Sequence, residues 1–459
     1  MAEELVNNNS IPVIAVTAAV GAVVFLFFLL CSIARKGNKD EAENENQDEV
    51  TKTEKSSGGK HKDSQKKSKS GDKGTSKKNV SNNFSHPWLS TTLKGHTGSV
   101  TCMDFSPNGK YLISTAQDRS IFLWSTKEFQ QKVHKLIRGN VDLDEATHIA
   151  FSPDSRAFVV KLENENTLRI FRLGKKDDGS AVTMTQALDF PKKHTAEIIS
   201  LAIASNGKFI LTCFDDTKII LWNIKGEVID TIDTRMMHNY YATISPCGRF
   251  VGVSGFTPEV KVWEVIFDKG GNYKESKRAY ELKGHNSGVT SFSFSNDSFK
   301  VATVSKDGTW KLFNTGVKFE LDQEPKLLYT GKLSEPMKLI SLSLDGRTVA
   351  LAGGTTLMIV NSSSGKVEEI MRDVHTEPIC ALSFDVSGKY LATTGDRFIQ
   401  ILHNITGYRA TIQDLQEKER NATTAGMKDR LKQQIKEARD SLCIIMGNEN
   451  GQAQNGQSK

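Results

Sequence analysis

Histidine and aspartate recur in this chain as linked pairs, and such pairs can do acid–base chemistry. His96 stands 22 residues before Asp118, His194 22 before Asp216, His285 22 before Asp307, and His375 21 before Asp396. A carboxylate that orients an imidazole is two-thirds of a nucleophilic triad, with a Ser as the third member. That chemistry needs one constellation that occurs once. Here the pair occurs four times, and each Asp is followed six places later by a large apolar residue: Trp124, Trp222, Phe313 and Leu402. The same residues recurring at fixed distances are scaffold rather than a catalytic site.

Nothing else in the sequence supplies a reaction centre. There is no phosphate-binding glycine loop, nucleophile elbow or His/Cys cluster with zinc spacing. The six cysteines, at 31, 102, 213, 247, 380 and 443, have no framework spacing and suit a reducing compartment. No catalytic residue, cofactor or metal is expected, and no small-molecule substrate.

The elements that must carry the pairs are short strands joined by tight turns. Ser106-Pro-Asn-Gly-Lys110 is the first such turn. Others follow at 152–156, 204–208, 245–249, 295–299, 343–347 and 385–389, their fourth residues spaced 46, 52, 41, 50, 48 and 42 apart. Asn-Gly and Asp-Gly suit hairpin turns because both positions take positive φ cheaply. Seven turns predict seven units of about 40–50 residues, which resembles the WD40 repeat, one four-stranded propeller blade per unit. The expected fold is therefore all-β: a seven-bladed WD40 β-propeller over residues 84–405. The WD40 resemblance implies that each His lies in the loop entering a blade and each Asp in an internal turn. There, with a Ser or Thr and the Trp, they form a buried hydrogen-bonded network. Around Phe151–Phe171, Tyr241–Trp263 and Leu339–Val360 the strand pattern survives without the Gly-His and Asp, so those blades are expected to rely on apolar packing alone. Trp88 to Leu93 reads as the outer strand of the last blade, closing the ring.

Outside the ring the composition changes sharply. After a short stub at 1–10, residues 11–34 are uncharged and rich in Val, Ala, Leu and Phe. As a helix they span about 36 Å, enough for a bilayer core of about 30 Å. Acidic residues precede this stretch and Arg35-Lys36 follow it, which fits a membrane anchor better than a cleaved signal peptide. Arg35, Lys36 and Lys39 on the C-terminal flank place the propeller on the cytosolic side. A charged tether follows at 35–83, read as disordered. It opens with six acids from 40 to 49, then turns basic with ten Lys against three acids from 51 to 80, and reads as a flexible spacer.

After the last blade the period becomes helical. Met427, Leu431, Ile435, Ala438, Leu442 and Ile445 form an apolar seam, and a shorter helix is expected from Arg409 to Arg420. The pair forms a helical extension over 406–446, before an unstructured tail at 447–459. The seam packs within the helical pair or on the propeller, or it forms a partner-binding or self-pairing coil. Arg119, Lys218, Lys306 and Arg397 each stand beside a repeat Asp and form a candidate basic face. The net charge of +6 on 459 residues is too small to make nucleic-acid binding the default.

Several stretches resemble a membrane-anchored branch of the WD40 family more closely than the repeat requires. They are Cys102 to Ser106, Asp189 to His194, Ser245 to Phe250, Gly255 to Pro258, Phe294 to Ser298 and Val304 to Leu312. This resemblance implies an endoplasmic-reticulum membrane scaffold in stress-responsive translation control, contacting a stress-sensing kinase, translation-related factors and RNA. The alternative is a membrane-tethered guanine-nucleotide exchange factor for a coat GTPase, although such propellers carry their span after the ring.

Overall fold

The computed structural model describes residues 84–175 and 182–447. The stub, the expected span at 11–34, the tether at 35–83 and the end of the tail lie outside the described residues. Among the described residues, no helix is long and apolar enough to cross a membrane.

Seven four-stranded antiparallel sheets form the blades of a closed propeller. Their inner strands are Val100–Phe105, Ala146–Phe151, Ile198–Ile203, Asn239–Ile244, Val289–Phe294, Leu339–Leu342 and Ala381–Phe384. Six blades are built from consecutive strands. The seventh takes its outer strand from the N-terminal side: Leu89–Lys94 pairs with Phe398–His403, with Thr92 opposite Gln400 and Leu93 opposite Ile399. Thr92 Oγ1 donates to Gln400 Oε1 at 2.6 Å across this closure. Trp88 is buried just before the strand, and its carbonyl accepts from the His403 amide. Pairing the two ends of the ring leaves every blade complete and makes opening it cost a whole strand.

The core lies between blades. Ile113, Ile121 and Leu123 of the first blade pack with Ile149, Phe151, Phe158 and Val160 of the second, and comparable clusters fill the other seams. Alternation along each strand sends apolar rows to both neighbours, so no blade can bury its faces alone.

Successive antiparallel strands put the connections at two ends of the ring. Turns between first and second strands, and between third and fourth, lie at one end, here the turn face. Turns between second and third strands, and the crossings to the next blade, lie at the other, the loop face. At the turn face the expected pair of positive φ values is replaced by one. Gly109 has φ 68° while Asn108 does not, and Ser155 and Ser298 adopt φ 58° and 60° where glycine is missing. The Asn or Asp serves as an acceptor instead: Asn108 Oδ1 takes hydrogen bonds from the Ser106 hydroxyl and the Lys110 amide. The turn residue type was read correctly, but for the wrong backbone reason.

The last strand is followed at once by helix α1, Ile405–Asn421, and helix α2, Ala425–Gly447. α1 begins earlier than the expected Arg409, because Asn404 caps it by accepting from the Gly407 amide at 3.0 Å. Arg347 of the sixth blade holds α1 through Asp414 (2.5 Å) and Thr411 (2.9 Å). Leu442, Ile445 and Met446 of α2 pack against the cluster containing Trp88 and Met371.

Candidate functional site

The four His–Asp pairs all stand on the loop face, joining a blade's entry loop to its second turn. The fifth blade shows the arrangement most completely. His285 Nδ1 meets Asp307 Oδ2 at 3.0 Å and His285 Nε2 meets Thr303 Oγ1 at 2.8 Å. Asp307 also accepts from the amides of Asn286 and Thr309. A carboxylate only accepts, so Nδ1 donates and the neutral ring accepts the Thr303 hydroxyl at Nε2. Burial keeps His285 below its ordinary pKa despite Asp307. Burial also opposes charge on Asp307, but the Asn286 amide, the Thr309 hydroxyl and His285 outweigh it and hold the carboxyl at about 2. Both imidazole nitrogens are thus engaged within the fold, which leaves no free base at this pair.

The other three copies vary. In the seventh blade His375 bridges Asp396 (3.1 Å) and Thr393 (3.0 Å), with all three side chains buried. In the first, His96 reaches Ser120 Oγ at 2.9 Å and Ser114 Oγ at 2.8 Å, and Trp124 Nε1 donates to the same Ser114 at 2.9 Å. Asp118 stands 3.5 Å from His96 and is held mainly by Ser120 and the Thr97 amide. The third blade is loosest: His194 and Asp216 are 3.3 Å apart and both partly exposed, while Trp222 bonds Thr212 without the histidine. Phe313 and Leu402 lack an indole N–H, so in their blades the relay stops at the threonine.

Two of the degenerate blades do not rely on apolar packing alone, which corrects the sequence expectation. In the second, buried Asp144 accepts from the amides of Asn164 and Glu165 and from Asn164 Nδ2. In the fourth, buried Asn239 donates to the carbonyls of Phe214 and Lys218 and accepts from Thr234 Oγ1 at 2.7 Å. Asp144 clamps the second turn of a blade that lacks the His–Asp pair, whereas Asn239 ties the entry of its blade to the third blade's turn that carries Asp216. Their positions at the entry to the inner strand were the available signal; their residue types hid it.

The candidate cations Arg119, Lys218, Lys306 and Arg397 all lie at second-to-third-strand turns of the loop face. Lys306 Nζ bonds Tyr240 Oη at 2.8 Å and sits over its ring, Arg397 lies over Phe398, and each stands beside the carboxylate of its own repeat.

The inner strands enclose a channel of about 820 Å³. Asp104 Oδ2 accepts the Phe151 amide at 2.7 Å, tying the first blade to the second. Burial pushes the Asp104 carboxyl up to about 7. Burial, with Lys161 beside it, pushes His148 down to about 4. Among the described residues, no group of three His, Cys, Asp or Glu side chains could hold a metal ion.

The WD domain, G-beta repeat family matches residues 88–125, 186–223, 276–314 and 369–402. Those are the four stretches that contain the His–Asp pairs, each running from one blade's outer strand into the next blade. Transducin beta-like protein 2 of Mus musculus is 47% identical over 380 residues, covering 82% of this chain and 86% of its own length. The Homo sapiens protein of the same name is 48% identical over 365 residues, 78% of this chain and 81% of its own. The chain belongs to the transducin beta-like protein 2 family of WD40-repeat proteins. More distantly, a guanine nucleotide-binding protein subunit beta of Arabidopsis thaliana is 22% identical over 66% of the chain and 79% of its own length. As a WD40 scaffold, the ring offers its surfaces for protein–protein contact.

Of the seam residues, Leu431 and Ile435 of α2 are buried, at 7% and 5% exposure, and Leu442 packs toward the propeller, while Met427 is 53% exposed and outside the seam. The buried part of the seam is therefore covered within this chain, its C-terminal end by the propeller.

Proposed function

We propose that this WD40 protein is a single-pass scaffold of the endoplasmic-reticulum membrane whose propeller faces the cytosol and binds protein partners through its loop face. By its likeness to the membrane-anchored branch of the family, those partners belong to stress signalling and translation control, a stress-sensing kinase among them, with RNA as a further partner. The anchor reading rests on residues 11–34 and the charges that flank them. The observation that carries the docking reading is a set of large apolar side chains held out on rigid loops of that face. Leu143, Met237 and Phe256 are exposed there, and Leu143 and Met237 adopt φ 60° and 64°, a conformation that bulky residues occupy only when surroundings impose it. The loops interlock: the Phe256 amide donates to His238 O, and the Lys306 amide to Gly288 O. Rigid apolar anchors on a polar rim are the usual centre of a protein interface.

Proximity labelling from the native membrane tests this reading. Met237→Asp with Phe256→Asp should strip the labelled partners from the chain while leaving its melting temperature unchanged. Retention of the same partners by that variant would move the docking site elsewhere.

A further inference from the structure

The turn face differs chemically from the loop face, and the repeat itself produces the difference. The first turn of a blade ends in Lys or Arg in six of seven blades: Lys110, Arg156, Lys208, Arg249, Arg347 and Lys389. The carboxylates of the same turns, though exposed, are partly occupied by the turns themselves. Asp154, Asp297 and Asp345 each accept from a Ser hydroxyl and a backbone amide of their own turn. Lys110, Arg156 and Lys208 are exposed. Arg347 is taken by α1, and Arg249 by Glu264 and Glu320, so the free arc runs over the seventh blade and the first three.

Apolar side chains protrude from the turn face, two of them on this arc and two on the fifth blade. Val133, Ile224, Phe299 and Leu321, all in turn-face connections, are between 59% and 77% exposed. Each has a lysine within three residues: Lys132, Lys225, Lys300 and Lys318. Protruding apolar tips set among cations are the composition of surfaces that lie in a headgroup layer, where the cations meet anionic groups and the tips leave water. The loop face has the opposite character, with Asp142, Glu165, Glu197 and Asp215 exposed. The closing strand begins at Leu89 on the turn face, so the chain enters the ring from that side.

We propose that the turn face docks on an anionic lipid surface, its outward cations meeting acidic headgroups and its protruding side chains entering the interface. The loop face then points away from the bilayer, toward soluble partners. This inference rests on the propeller's own surface and is separable from the anchor at 11–34.

Hydrogen exchange on the full chain, incubated with vesicles of phosphatidylcholine alone or of phosphatidylcholine with phosphatidylserine, tests it. With phosphatidylserine, the segments around Lys110, Arg156, Lys208 and Ile224 should exchange more slowly, while those at Glu165 and Asp215 keep their rates. High salt should abolish the difference. Lys110→Glu, Arg156→Glu and Lys208→Glu together should lose it as well. Equal exchange in the two vesicle types, or protection confined to the loop face, would overturn the proposal. So would protection of these turns by added RNA but not by phosphatidylserine, which would assign the surface to nucleic acid. If the triple variant unfolds, the comparison of the two lipid compositions with the unaltered chain decides alone. Co-flotation with both vesicle types reports the anchor; flotation with phosphatidylserine vesicles only would sink the anchor and uphold the turn face.

Discussion

At the scale of single residues, the same His–Asp pair contributes differently from blade to blade. Asp307 holds four hydrogen bonds within a largely buried cluster, and its removal strands His285 Nδ1 and two amides. Asp307→Ala should cost about 1–3 kcal/mol in a melt of the full chain, whereas Asp216→Ala, with its 3.3 Å partly exposed partner, should cost well under half of that. Equal losses at the two sites would contradict the graded network. Asp104 should behave in the opposite sense. Its folded pKa of about 7 lies above the unfolded carboxylate value of about 3.9. The folded chain then binds the extra proton, and stability falls as pH rises through that window. Asp104→Asn keeps the acceptor for the Phe151 amide and removes the charge. It should raise stability by about 1–2 kcal/mol near pH 8, with the gain vanishing near pH 4. A gain that stays constant across that range would rule out the buried carboxylate as its cause.

At the scale of elements, the strands and turns were legible because residue type and period report the same thing there. Trp88 to Leu93 could be placed in the seventh blade from its alternation and from the need to leave no edge open, and Leu89–Lys94 takes that position. What escaped was substitution of function without conservation of type. Asp144 clamps a turn that lacks the His–Asp pair and Asn239 ties the fourth blade to the third, and no rule of spacing announces a lone Asp or Asn as a clamp. The start of α1 escaped because Thr406 and Gly407 suggest a turn, while the Asn404 cap makes them the first helical turn. The seam of α2 was visible as a period, but its partner was not, since period says only that one face is covered. Leu431 and Ile435 are covered within this chain, and the end of α2 reaches the Trp88 cluster beside the ring closure. Leu431→Asp with Ile435→Asp should therefore lower the unfolding temperature of the full chain, at about 2–5 kcal/mol per site. An unchanged melt accompanied by loss of co-purifying proteins would show instead that the stripe serves a partner.

At the scale of the whole molecule, the ring turns a sequence of local repeats into two chemically distinct faces, one acidic with rigid apolar anchors and one basic with protruding tips. Which compartment those faces meet depends on topology, and the fold selects the residues that can report it. The chain has Asn-X-Ser/Thr sequences at Asn8, before the uncharged stretch at 11–34, and at Asn79, Asn83, Asn296, Asn361, Asn404 and Asn421 after it. Asn404 cannot report. Its side chain is buried, bonds Gly388 O and caps α1, and Thr406 of the same sequence is fully buried. Asn361 is turned into its own hairpin, accepting from the amides of Ser363 and Ser364. Asn296 and Asn421 are exposed. A propeller in the lumen would present both to the glycosylation machinery, whereas a cytosolic propeller would present neither. The expected outcome is that Asn296→Gln with Asn421→Gln migrates like the unaltered protein from native membranes, and that any glycosidase-sensitive shift, which the lumenal Asn8 could supply, is the same in both. Protease added to intact microsomes should then digest the propeller, because it lies outside the vesicle. A glycosidase-sensitive shift removed by those two substitutions would place the ring in the lumen and reverse the assignment of both faces.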